Sequence, residues 1–345
     1  MKNKTILLTG ASGMLGSSIK EELASRGYKN VLTPTSKELD LMSHYLTSKY
    51  VIQNNPEIII HCAAKVGGIV NNITNADDFY NINVTMQNNI IKASHAQRVK
   101  EFYFMSSSCC YPVDCSQPMK EQDIYEGEPE PTNAKYAIAK RKGMILLEDL
   151  TKLSEIINFK ALNICLCNLF GKEKEFDPAK CHVIPALIKK LYDAKTNNLP
   201  GLDVLGTGNA EREFLYVEDA ARIIVDIIEK RIIDKEIYIN VGRGQAISIK
   251  QLVFLLKEIV GYQGEINFTG KTEGIKQKLL DISRLLSYNI KLDNATMDEN
   301  MYMSYYLKKT YENFLVKTKF SFPGMKKGIV NIIGARSGVG KSYYR

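Results

Sequence analysis

The chain has no tryptophan, only four histidines in 345 residues, and no apolar run near the ~20 residues needed to cross a bilayer. It also lacks a paired Cys-x-x-Cys or Cys/His spacing. Its seven cysteines, at 62, 109, 110, 115, 165, 167 and 181, form no zinc-type set, and no metal is expected. The opening Met1-Lys2-Asn3-Lys4 leads into an apolar stretch too short for a secretory leader. The expectation is therefore a soluble, cytoplasmic protein with reduced thiols and no membrane partner. Acids are missing from Lys317 onward. Seven basic residues there supply nearly all of the net charge of +8 and leave residues 1–316 at about +1. A nucleic-acid partner is excluded on that distribution, because the body has no broad basic excess.

What remains is ordinary globular material, 45% hydrophobic and 24% charged, with length for about two domains. Short apolar strands are expected at residues 5–8, 31–32, 58–61, 101–106 and 160–166, and helices at 14–26, 81–96 and 135–153. Strands alternating with helices of this length predict a parallel sheet covered on both faces. After residue 171 the texture changes, with a further helix expected at 184–194. We expect an α/β chain: a Rossmann-type doubly wound parallel sheet with a smaller α/β substrate-binding domain. Residues 1–168 plus about 212–240 form the first unit, 169–211 plus about 241–316 the second, and 317–345 a basic tail.

Gly10-Ala11-Ser12-Gly13-Met14-Leu15-Gly16 follows the first strand and opens the first helix. Gly10 permits the tight turn, Gly13 lets the backbone approach a pyrophosphate, and Gly16 lets helix and strand pack closely. In that position the three glycines point to a dinucleotide. The second strand is followed by Thr33-Pro34-Thr35-Ser36-Lys37, with no acid before Glu38. A hydroxyl and a lysine suit a 2′-phosphate, so NADP (NADPH) is favoured over NAD; the alternative is that Lys37 is a solvated surface charge.

Tyr136-Ala137-Ile138-Ala139-Lys140 sets a tyrosine and a lysine at i and i+4 on one helical face. A neighbouring ammonium is expected to lower the phenol's pKa and make Tyr136 a proton donor in carbonyl reduction. Ser106-Ser107-Ser108 ends a strand between the two motifs and offers a hydroxyl for a substrate carbonyl.

Together with the blocks at 63–69, 106–112, 130–133, 176–178, 182–187, 206–208, 212–215 and 278–281, these motifs resemble the extended short-chain dehydrogenase/reductases. Within them the chain is similar to the GDP-L-fucose synthase family, over about residues 1–316. The resemblance implies that a GDP-4-keto-6-deoxy sugar, GDP-4-keto-6-deoxy-mannose in the first instance, is epimerised at carbons 3 and 5. NADPH then reduces it at carbon 4 to GDP-L-fucose. Ser107, Tyr136 and Lys140 match the family's reducing residues, and Cys109 and His182 its epimerisation acid and base, with Cys110 a rival to Cys109. The resemblance also implies cofactor contacts at Leu41, Met105, Ser106, Lys140, Asn168, Leu169 and His182. Substrate contacts are implied at Lys190, Leu205, Arg212 and Glu273, and a homodimer is expected. The family's pattern differs at Leu205 (tryptophan), Glu273 (aspartate), Leu166 and Cys167 (proline and threonine) and Lys172 (proline). Leu205 and Glu273 motivate one alternative, the same chemistry on another GDP-sugar such as a deoxyheptose; two further alternatives are reduction without one or both epimerisations, and an idle NADP-binding module.

The resemblance stops near Val316. Beyond it, Ala335-Arg336-Ser337-Gly338-Val339-Gly340-Lys341-Ser342 fits a phosphate-binding loop behind a strand-like run. Three readings stay open: the start of a fused kinase or other NTPase domain, a basic tail matching by chance, or a small phosphate-contacting extension.

Overall fold

The computed structural model describes residues 1–153, 158–270, 275–292 and 297–320. Glu273 and the phosphate-loop-like segment at 335–342 lie outside the described residues. The first half follows the expected alternation: β1 (Ile6–Thr9), α1 (Met14–Ser25), β2 (Val31–Leu32), α2 (His44–Asn54), β3 (Ile58–His61), α3 (Ile69–Thr74), α4 (Ala76–Ala96), β4 (Glu101–Ser107), α5 (Ala134–Lys152) and β5 (Lys160–Leu166). Helix α4 begins five residues before the expected start at 81. Its first turn holds Asp77 and Asp78, polar residues that carry no apolar period but suit the positive end of a helix.

The remaining elements are β6 (Asn168–Phe170), α6 (Val183–Thr196), β7 (Gly201–Val204), β8 (Glu211–Arg212), β9 (Phe214–Tyr216), α7 (Val217–Glu229), β10 (Tyr238–Val241), β11 (Ile247–Ser248), α8 (Ile249–Val260), β12 (Glu265–Phe268), β13 (Gln277–Lys278), α9 (Ser283–Ser287) and α10 (Glu299–Phe320).

The main sheet has six strands in the order β10-β5-β4-β3-β1-β2, with every pairing parallel. Strands β1 and β3 are buried along their whole length, as strands covered on both faces must be. From β1 the chain steps outward to β2, then returns to build β3, β4 and β5 on the other side. The crevice beyond the C-terminal ends of β1 and β3 is thus the topological switch point, where open α/β sheets bind their ligands.

A second apolar core gathers α6, α8 and α10, including Leu187, Leu191, Leu252, Leu256, Leu307 and Phe314. Around it lie the parallel β7–β12 pair and the three-stranded β11-β8-β13 sheet. Helix α8 starts in a reciprocal Ser248–Gln251 capping box, worth about 1 kcal/mol. Helix α10 is fastened to α7: the Tyr302 hydroxyl donates to Asp219 Oδ2 at 2.7 Å and accepts from the Tyr216 amide at 2.9 Å. No helix among the described residues is long and apolar enough to cross a membrane.

Candidate active site

The glycine loop closes the turn between β1 and α1. Gly10 has φ +70°, and a Cβ there would stand 2.6 Å from the Ala63 amide nitrogen on the chain leaving β3. A Cβ on Gly16 would stand 2.2 Å from the Gly10 carbonyl oxygen, so the first turn of α1 sits directly on the loop. Gly13 caps α1 with no side chain on its first amides, and the first turn holds no acid. Uncapped amides at the positive end of a helix, over a floor that admits no Cβ, fit a pyrophosphate. Ser12, Met14 and Leu15 border this opening, and the Lys174 ammonium donates to the Ser12 carbonyl. Lys172 pairs with Glu21 and Glu218, drawing the chain after β6 across the start of α1.

Ser36 and Lys37 are exposed beyond β2. The nearby acid Glu38 is engaged locally: its Oε2 accepts the Thr35 amide at 2.8 Å and the Thr35 hydroxyl at 2.9 Å. Those bonds hold Glu38 below the usual carboxylate range. Leu41 and Met105 are buried, and the Ser106 hydroxyl is turned inward to Cys110 Sγ and Met144 Sδ. Asn168 is exposed at the cleft, with its amide donating to the Glu213 carbonyl at 2.9 Å, and Leu169 beside it is half-buried.

The proton-transfer side is assembled at the end of β4. Ser107 Oγ accepts the Cys109 amide at 3.2 Å, which fixes the tight turn carrying the thiol and leaves the serine's own proton free to donate. Tyr136 lies on the first turn of α5. The expected lowering of its pKa does not occur: burial pushes the phenol up, and the fields of Cys109 and Cys110 push it the same way. Lys140 does not act on the phenol here. Its ammonium donates to the Met105 carbonyl at 2.9 Å and lies 4.6 Å from the centre of the Phe104 ring. Burial lowers the Lys140 pKa to about 8, against the opposing fields of Cys110 and Cys62. Tyr136 therefore carries its proton at neutral pH, the form a donor requires.

Arg212, on β8, reaches the same place. Burial lowers its pKa, while Glu130 and Cys109 raise it through their fields. Its Nη1 is held by the carbonyls of Glu211 and Ile275 at 2.7 and 2.8 Å. His182 is the N-cap residue of α6, open to solvent on one side and crowded on the others, and that crowding lowers its pKa. Lys190, two turns along α6, borders an open groove of about 860 Å³ shared with Asp193, Pro200, Asp203 and Glu265. Leu205 is 74% exposed.

Sequence reasoning missed three supporting groups. Arg141 clamps the Cys110 and Gly127 carbonyls, each at 2.7 Å, and so holds the thiol turn from behind. Glu213 is buried and accepts the amides of Arg243 and Gly244, both at 2.6 Å, and of Leu280 at 3.0 Å. It ties three distant segments behind Arg212. Asn133 touches Cys109 directly. Only Asn133 and Glu213 lay inside blocks that the motifs singled out, and neither position revealed its role.

Residues 6–242 match the NAD dependent epimerase/dehydratase family. A GDP-L-fucose synthase of Sinorhizobium fredii (strain NBRC 101917 / NGR234) is 36% identical over 316 residues, which span 91% of this chain and 96% of the relative. A solved GDP-L-fucose synthetase from Naegleria fowleri bound to NADP superposes with a TM-score of 0.80 at 27% identity, covering 92% of this chain and 95% of that one. A GDP-6-OMe-4-keto-L-xylo-heptose reductase from C. jejuni gives 0.81 at 26% identity, covering 92% and 99%. With a glycine-floored cradle at the switch point and a serine, tyrosine and lysine beside it, the chain belongs to the NAD dependent epimerase/dehydratase family.

Proposed function

We propose that this enzyme epimerises GDP-4-keto-6-deoxy-mannose at carbons 3 and 5 and reduces it at carbon 4, forming GDP-L-fucose. The observation that carries the reading is the meeting of Cys109, Tyr136 and Arg212. They come from three separated stretches of chain, and the phenol and the guanidinium each feel the field of the Cys109 sulfur. NADPH, held by residues 10–16 with Ser36 and Lys37 toward its 2′-phosphate, supplies the hydride for the reduction.

The chain's own residues do the rest. Ser107 donates to the 4-keto oxygen, which polarises the carbonyl and acidifies the protons on its neighbouring carbons. Cys109 and His182 exchange those protons from opposite faces; both types give and take protons near neutrality. Tyr136, kept protonated by burial, donates to the oxygen as the carbonyl becomes an alcohol. Lys140 orients the site through the Met105 carbonyl, and Arg212 offers fixed positive charge to the nucleotide-sugar.

A second reading keeps the chemistry and changes the sugar. Exposed Leu205, where a broad aromatic is usual, and the likeness to the heptose reductase favour a bulkier GDP-4-keto sugar. One experiment separates the readings: GDP-4-keto-6-deoxy-mannose with NADPH in heavy water, the product read by NMR. GDP-L-fucose deuterated at carbons 3 and 5 supports the first reading. Reduction without deuterium leaves a 4-reductase, and no turnover with this sugar directs the search to the heptoses. We also propose a homodimer formed through the sheet-domain helices, consistent with the exposed apolar faces of Ile145 on α5 and Ile69, Val70 and Ile73 on α3; sedimentation at micromolar concentration tests it.

A further inference from the structure

We infer that Asn133 is a positioning residue for Cys109: its amide N–H holds the sulfur, and its carbonyl oxygen is kept for a hydroxyl of the bound sugar. The inference rests on the reading of Cys109 as an epimerisation acid–base group and adds the residue that controls it.

Asn133 is the N-cap residue of α5, the position where an asparagine side chain ordinarily accepts a bond from one of the helix's first amides. Here it makes no such bond. Its Nδ2 instead donates to Cys109 Sγ at 3.5 Å, and its Oδ1 is buried without a partner among the described residues. Declining a cap and leaving a buried acceptor open both carry a cost. A purely structural asparagine would avoid each by turning its oxygen onto the helix.

The surrounding turn explains how the side chain stays free. The Asn133 amide donates to the Glu130 carbonyl at 3.2 Å, and the Glu130 carboxylate binds the Thr132 amide at 3.2 Å and also its hydroxyl. On the other side, Ser107 and Arg141 hold the Cys109–Cys110 turn. Two independently anchored turns thus meet at one amide–sulfur contact.

The chemistry needs that contact. When Cys109 takes a proton from the sugar, the C–H bond breaks, an S–H bond forms, and the electron pair passes into the enolate of the 4-keto group. The sulfur must begin as a thiolate, which an N–H donor favours. The other titratable groups around it are Tyr136, Cys110 and Arg212, whose fields couple to it, with Glu130 of the Asn133 turn facing Arg212. The Arg212 guanidinium brings positive charge near the sulfur, and the asparagine amide is the donor in direct contact with it.

The test uses the full chain and the variants Asn133→Ala, Asn133→Asp and Cys109→Ser. The first readout is alkylation of Cys109 by iodoacetamide at pH 7 without substrate, localised by mass spectrometry. The second is deuterium incorporation at carbons 3 and 5. Asn133→Ala is expected to slow alkylation about tenfold, and Asn133→Asp further, since a carboxylate there opposes the thiolate. Deuterium incorporation falls in parallel while NADPH affinity holds. Asn133→Asp is isosteric and keeps a cap acceptor, so it carries the test if the alanine variant is unstable. Alkylation at the parent rate in the folded variants overturns the inference. If Cys109→Ser still exchanges both carbons, the reading of Cys109 itself is overturned, and the alkylation result separates the two failures.

Discussion

The two ends of the cleft are built on opposite plans. The proposed cofactor end is centred on one contiguous run of seven residues, and its demands are met mainly by the absence of side chains. The proposed proton-transfer end is made of side chains from the turn after β4, the start of α5 and β8, with His182 at the start of α6 as its proposed fourth member. The turn carrying Cys109 depends on partners elsewhere: Ser107, Asn133 and Arg141. A backbone site is fragile to added atoms, whereas a side-chain site is fragile to removed ones.

That contrast is open to direct attack. The largest effect is expected from removing one atom at the side-chain end. Tyr136→Phe should lower the rate of 4-keto reduction by about a thousandfold, the order a lost general acid gives, with NADPH affinity unchanged by fluorescence titration. Adding one carbon at the other end, Gly10→Ala, should weaken NADPH about a hundredfold. The alanine meets backbone at 2.6 Å in a left-handed conformation that already costs roughly 1–2 kcal/mol. Weakened NADPH binding in Tyr136→Phe, or lost reduction in Gly10→Ala at saturating NADPH, would show that the two ends are not separable.

The segment joining the ends gives a smaller effect. Glu173 is buried, its Oε1 has no partner among the described residues, and desolvation pushes its pKa up to about 7 from an ordinary 4.5. A raised carboxyl binds its proton more tightly folded than unfolded. Its contribution to stability is therefore complete below pH 4.5 and lost as pH rises through 7. Thermal unfolding should show the protein less stable at pH 8 than at pH 5, with Glu173→Gln removing about 2 kcal/mol of the difference. The smallest effect belongs to Lys37→Ala. It should weaken NADPH about tenfold, as loss of one charge-assisted bond does, and leave NADH unmoved.

The same contrast decides what the sequence made legible. Spacing alone located the glycine loop, because a backbone site is written in consecutive positions. Strands β3 and β5 match their expected limits at 58–61 and 160–166, since buried strands are written as short, mostly apolar runs. The Tyr136–Lys140 pair was visible as a helical repeat, but its electrostatics were not. Which field reaches the phenol depends on where the ammonium points, and the Met105 carbonyl that claims it lies 35 positions away. Arg141 was hidden for the same reason: its partner at Gly127 is one carbonyl among many. Helix α3 escaped because six residues are too short to show a helical repeat, and the first turn of α4 because its polar residues leave no apolar period.

The close approach of Gly10 to Ala63 has a meaning for how this protein can change. The loops after β1 and β3 leave no space for a Cβ between them, so the two positions are not expected to vary independently. A substitution at one is tolerated only alongside an adjustment at the other, and the pair should show strong non-additivity in a double-mutant cycle. A designer wishing to reshape the dinucleotide floor would have to recut both loops together, as one would both halves of a mortise joint.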